Sequence, residues 1–182
     1  MSSICVTARL FLRKDESPLS GQPTLLLVNG PNLSRLGHRE PTIYGNETLP
    51  QVVDRIRQLA AQQGVSVLDM QSNSEGALID FLQENAPMAN GIILNPGAFA
   101  HYSYALRDCL SDVGSYCPIV EVHISNVHQR EAFRHESVLA AVVTGQIVGL
   151  GTTGYDLAAN YLISVIVRGK SEKSASSEHT NI

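Results

Sequence analysis

Residues 123–135, HISNVHQREAFRH, place three His, two Arg and one Glu within a loop's length, directly after the apolar run 118–122. That density of titratable groups is the obvious place to look for proton-transfer chemistry. If the preceding run is a strand, period-two alternation puts Glu121, His123 and Ser125 on one side and Val120, Val122 and Ile124 on the other. Glu121 then lies beside His123, and a neighbouring carboxylate favours the imidazolium, the form a general acid needs near pH 7. The plainer alternative is a structural ion pair at the rim of a sheet. Further on, Arg130 and Arg134 are spaced i, i+4 and would face the same way on a helix starting by Gln129, where a solvated basic face is the competing explanation.

An acid needs a base, and the second chemical stretch offers one. The loop NGPNLSRLGHREPTIYG has neither a GxGxxG nor a Walker pattern, so it is not built as a phosphate cradle. It reads as a lid: Gly37, Pro41 and Gly45 punctuate it, and Arg35, His38, Arg39 and Tyr44 hang on it. A phenol with a pKa of about 10 is roughly one part in a thousand ionised at neutral pH, a poor base by itself. An arginine within several Å typically lowers such a pKa by about 1 to 3 units and brings the phenolate within reach. A surface tyrosine on a mobile loop is the bland alternative.

The elements that must position these groups repeat along the chain. Apolar runs at 25–28, 65–70, 91–94, 118–124 and 146–150 predict five buried strands. Residues 49–63, 75–85, 101–113 and 154–167 carry apolar side chains at helical spacing, as Leu78, Ile79 and Leu82 illustrate. Thr48 is placed to cap the first helix, Ser72 or Ser74 the second, and Asn85 with Pro87 ends it. Strands alternating with helices imply right-handed βαβ units and a parallel sheet covered on both faces. The expected fold is therefore α/β, a flavodoxin-like three-layer sandwich with a five-stranded parallel sheet.

In such a fold ligands bind beyond the carboxyl ends of the strands. The polar residues expected there are Asn29 and Asn32, Gln71 and Asn73, Asn95, and His123 with Ser125, with His101 near the start of the third helix close to Asn95. Uncharged hydrogen-bonding groups around one titratable histidine suit a small hydroxyl-rich ligand better than a dinucleotide, although a single Asn at such a place is usually a turn former. Asp108 follows His101 by seven residues, two turns along the same expected helix face, and points either to a neighbouring subunit or to solvent. Gly149, Gly151 and Gly154 fit tight turns and close helix packing.

Totals exclude several classes. The chain has 182 residues and a formal net charge of −4, from 13 Lys and Arg against 17 Asp and Glu, so nothing marks a nucleic-acid partner. No apolar run approaches the roughly 18 to 20 residues of a membrane span, so no membrane partner is expected. Cys5, Cys109 and Cys117 are odd in number and lack metal-ligand spacing, which predicts a reducing, cytoplasmic setting. We divide the chain into an N-terminal arm (1–22), a catalytic domain (23–168) and a polar tail (169–182) with little to bury, expected to be solvated and mobile.

Read together, NGPNL, LGHREPTIYG, QSNSEG, ILNPGAFAHYSYALRD, VEVHISNVHQREAFRHES and VGLGTTGY resemble, in order, the motifs of the type II 3-dehydroquinate dehydratases, over about residues 25–167. The resemblance implies anti elimination of water from 3-dehydroquinate to give 3-dehydroshikimate through an enolate, in the shikimate pathway or in quinate breakdown, with neither metal nor cofactor. It implies Tyr44 as proton acceptor, His123 as proton donor, Arg39 as the lid arginine supporting phenolate and transition state, and Arg130 as a further active-site arginine. Glu121 stands where the family orients the histidine, and Asn32 where it holds a water against the developing enolate oxygen. Asn95, His101 and Arg134 match hydroxyl-contacting positions, and Ile124 with Ser125 the carboxylate clamp. Asp108 matches an acidic residue supplied across a trimer interface, so a homododecamer, a tetramer of trimers, is implied. Two departures stand out: Ala100 and Tyr102 replace threonines common beside the histidine, and His38 takes a lid position that often holds another residue. A non-catalytic module of the same fold, binding a small polyol or carboxylate, would need neither Tyr44 nor Arg39.

Overall fold

A computed structural model describes residues 21–38 and 46–178. Among them are five strands: β1 (Thr24–Asn29), β2 (Ser66–Gln71), β3 (Gly91–Asn95), β4 (Ile119–His123) and β5 (Gly145–Val148). The α-helices are α1 (Leu49–Ala61), α2 (Glu75–Asn85), α3 (Tyr104–Val113) and α4 (Thr153–Glu178). The strands form one sheet in the order β2-β1-β3-β4-β5, every neighbouring pair parallel. The five-stranded parallel sheet is the one expected from the sequence, and its order is the doubly wound order of flavodoxin-like folds. No helix among the described residues is long and apolar enough to cross a membrane.

Alternation along the strands builds two cores. Leu25, Leu27, Ile93, Val120 and Val122 face Val52 and Ile56 of α1 and Tyr155 and Leu162 of α4. Leu26, Val28, Ile92, Leu94 and Ile119 face Leu78 and Leu82 of α2 and Leu106 and Leu110 of α3. The continuous apolar runs of β1, β3 and β4 are thus strands covered on both sides, each fully buried aliphatic contributing about 1.5–3 kcal/mol. The lateral strands β2 and β5 are less buried because each has one open edge.

Local chemistry sets the boundaries. Ser74 caps α2 by accepting from the Ala77 N–H at 3.4 Å, and the Gln51 side chain takes the Thr48 N–H at 2.9 Å at the start of α1. Ser103 caps α3 through the Leu106 N–H at 3.0 Å, so that helix opens at Tyr104. His101 is therefore not on the helix that carries Asp108, as the spacing had predicted; it ends a separate 3-10 segment, Gly97–His101. The extension of α4 also departs from expectation: its backbone stays helical to Glu178 rather than giving way at Gly169. A segment with nothing to bury still propagates a helix that a packed first half has nucleated, provided no proline intervenes.

Two loops at the carboxyl end of the sheet are locked together. The Gly30 N–H donates to the Asn95 carbonyl at 2.7 Å, and a Cβ on Gly30 would lie 2.4 Å from the Pro96 carbonyl oxygen. Because that neighbour is backbone, Gly30→Ala is expected to cost about 1–3 kcal/mol, seen as a lower urea midpoint with an unchanged slope. An unaltered midpoint would show that the loops part freely.

Candidate active site

The carboxyl ends of β1, β3 and β4 open into a cleft lined by Asn32, Leu33, Arg35, Leu36, Asn95, Gly97, His101, His123, Ile124, Ser125, Val127, Arg130 and Arg134, with Pro31 and Ala98 completing it. Of the twelve residues singled out by the sequence, eight converge here: Asn32, Asn95, His101, His123, Ile124, Ser125, Arg130 and Arg134. Glu121 lies behind His123, fully buried. Asp108 is exposed on α3 and does not line the cleft of its own chain. Arg39 and Tyr44 lie outside the described residues. The chain on either side of that gap is nevertheless drawn together, since a Cβ on Gly37 would sit 2.9 Å from the Asn46 carbonyl oxygen.

Strand alternation delivers the central pair as expected. His123 Nε2 donates to Glu121 Oε1 at 2.6 Å, with both side chains buried. The Ser137 hydroxyl donates to Glu121 at 2.9 Å, supplying a second partner inside the protein. A buried carboxylate is tolerated only with such partners. With Nε2 committed to Glu121, Nδ1 is the nitrogen left to carry a transferable proton.

His101 stacks near His123, the ring centroids 6.2 Å apart and the planes 23° from parallel. Its Nδ1 donates to the Glu136 carbonyl at 2.8 Å, leaving Nε2 as an acceptor in the neutral ring. Burial lowers the His101 pKa from its ordinary value; the Glu136 hydrogen bond opposes this, and His123 and Arg134 add to it. Unfolded, this histidine binds a proton near pH 6.5, whereas folded it does so only at lower pH. Its contribution to stability is therefore complete above the unfolded value and is lost as the pH falls from there through the folded value. In a proton NMR titration the His101 ring is expected to show a midpoint below 6.5, and a midpoint above it would contradict a neutral acceptor.

Asn32 adopts the left-handed backbone region at φ 67°, the only described non-glycine residue to do so, and its N–H donates to Asn73 Oδ1 at 2.9 Å. Asn tolerates this conformation better than other side chains, and such positions cluster at ligand sites. On the far side, Arg130 reaches the Ser125 hydroxyl at 3.4 Å, while Arg134 pairs with Glu131 at 2.8 Å and lies over the Phe133 ring. The two arginines do not share a helix. The 3-10 turns Val127–Gln129 and Ala132–Arg134 flank an extended Arg130, and the loop path rather than an i, i+4 face brings both to the cleft.

Electrostatically the cleft is one-sided. Among the described residues Arg35, Arg130 and Arg134 line it and no Asp or Glu does, which favours an anionic ligand such as a carboxylate. His128 and His135, with ring centroids 5.8 Å apart, border a smaller cavity beyond His123 instead. Sequence reasoning missed Ser137 and Tyr155. The signals were present in the motifs FRHES and VGLGTTGY, but no local rule says what a serine or a helical tyrosine meets across the fold.

Comparison with known proteins identifies the family. The family model described as Dehydroquinase class II matches residues 23–163. A 3-dehydroquinate dehydratase of Anoxybacillus flavithermus is 54% identical over 141 residues, covering 78% of this chain and 94% of that protein. One from Bacillus cereus is 58% identical over 134 residues, covering 74% and 90%. Among solved structures, the type II dehydroquinase of Butyrivibrio crossotus superposes with a TM-score of 0.75 at 48% identity, covering 78% of this chain and 97% of that one. A match spanning the whole sheet, at this identity and coverage, places the chain in the class II dehydroquinase family.

Proposed function

We propose that the protein is a 3-dehydroquinate dehydratase of the shikimate pathway, eliminating water to give 3-dehydroshikimate. The observation that carries this reading is the Ser137–Glu121–His123 array, with Glu121 and His123 buried, opening into a cleft lined by three arginines and, among the described residues, no carboxylate: an oriented proton donor facing an anion site. In the anti elimination, Tyr44, as phenolate supported by Arg39, takes a proton from the carbon next to the ketone. The electron pair moves into the carbonyl and forms an enolate, whose oxygen is stabilised by a water held at Asn32. As the enolate collapses, the C–O bond breaks and His123 gives its proton to the departing hydroxyl, releasing water and the enone.

The remaining groups bind. Ile124 and Ser125 take the substrate carboxylate, Asn95, His101 and Arg134 its hydroxyls, and Arg130 supports the site beside Ser125. The exposed position of Asp108 on α3 fits a role toward the cleft of a neighbouring subunit, in a dodecamer built as a tetramer of trimers. The unpaired, buried Cys109 and Cys117 suit a cytoplasmic protein. Mixing the protein with 3-dehydroquinate should produce the rising ultraviolet absorbance of a conjugated enone. A folded protein that binds this compound without such a rise is a binding module, not a dehydratase.

A further inference from the structure

Beneath the cleft lies a polar relay that the elimination chemistry does not use. Asn29 and Asn95 are register partners at the carboxyl ends of β1 and β3. Between them, from the first turns of α4, comes Tyr155, with no solvent exposure at all. Asn95 Nδ2 donates to the Tyr155 hydroxyl at 2.8 Å, and that hydroxyl donates to Asn29 Oδ1 at 2.7 Å. Asn95 Oδ1 accepts from the Gly97 N–H at 3.2 Å.

A phenol has one hydrogen to give. Since Tyr155 gives it to Asn29, it can only accept from Asn95, and the amide of Asn95 is thereby fixed by both of its ends. One lone pair of its oxygen is taken by the Gly97 N–H and one Nδ2 hydrogen by Tyr155, which fixes which end of the amide is which. The second Nδ2 hydrogen is left for a ligand in the cleft that Asn95 lines, so the amide can meet it as a donor. His101 presents the opposite polarity there, a bare Nε2. A ligand hydroxyl both gives and accepts a hydrogen bond, and these two residues together match it.

We infer that Tyr155 is a positioning residue for substrate binding, which sets the Asn95 amide as a donor toward a substrate hydroxyl. Burial also raises the Tyr155 pKa far above the ordinary phenol range, against a smaller opposing effect of Asn95, so the hydroxyl keeps its hydrogen at every working pH. The ring is packed in the core formed by α1, α4 and the sheet, so the relay has a rigid base.

The inference rests on Asn95 contacting the substrate, and a double-mutant cycle separates the two claims. Tyr155→Phe keeps the ring and removes only the hydroxyl. It is expected to raise KM for 3-dehydroquinate about tenfold with kcat within about threefold of the parent, because the interaction lost is a ground-state contact. In an Asn95→Ala background the same change should add nothing to KM. Asn29→Ala, which removes the acceptor while leaving Tyr155 in place, should raise KM less and should also be silent in that background. It stands in for Tyr155→Phe if thermal melting shows that variant unfolded at the assay temperature. If Asn95→Ala leaves KM unaltered, the assignment of Asn95 to the substrate fails and the inference falls with it. If Asn95→Ala raises KM but the relay variants do not, or if their effects multiply in the double variants, Asn95 keeps its role and Tyr155 is only a packing residue.

Discussion

His123→Ala is expected to lower kcat by about 10²- to 10⁴-fold, the usual worth of a positioned general acid. The same substitution strips the buried Glu121 of its imidazole partner and leaves it the Ser137 hydroxyl. Removing one member of a buried charged pair commonly costs about 3–5 kcal/mol, so lost activity in this variant mixes chemistry with stability. His123→Gln separates them. Its amide can still donate toward Glu121 but has no proton to transfer, so it should melt closer to the parent and remain nearly inactive. Turnover near the parental rate in a folded His123→Gln protein would remove His123 from the acid role.

Tyr44→Phe is expected to lower kcat by a similar factor of about 10²–10⁴ without altering the melting temperature. The substitution deletes one oxygen, the one proposed as proton acceptor. Tyr44 and Arg39 lie outside the described residues, so this expectation comes from their chemistry and from the family resemblance. A lone tyrosine is about 0.1% ionised at neutral pH, and an adjacent arginine is what makes phenolate chemistry practicable. Arg39→Ala should therefore move the basic onset of kcat to higher pH, while Tyr44→Phe should abolish it. If Tyr44→Phe retains more than about a tenth of the parental kcat, a loss smaller than the expected range, the proton is being taken elsewhere.

Much of the fold was legible because its causes are local. Strands in the centre of a parallel sheet read as unbroken apolar runs, and helices as amphipathic ones, so all five strands fall within about two residues of their expected positions. The strand-end rule brought Asn32, Asn95, His123 and Ser125 to one cleft. Period-two alternation placed Glu121 beside His123.

What required the tertiary structure was every contact between residues that the chain keeps far apart, and every segment whose shape follows its surroundings. Ser137 reaches Glu121 only because the loop after β4 folds back over the strand, and Tyr155 reaches Asn29 and Asn95 only because α4 packs against the sheet at β3 and β4. The short 3-10 turns that carry His101, Arg130 and Arg134 have no periodicity of their own and take their path from what they pack against. Residue types and their order thus determined the chemistry available and the sheet that would gather it. The hydrogen bonds that orient these side chains, His123 held by Glu121 and Asn95 held by Tyr155, were decided by packing, because a hydrogen bond inside the core depends on distances that no local pattern encodes.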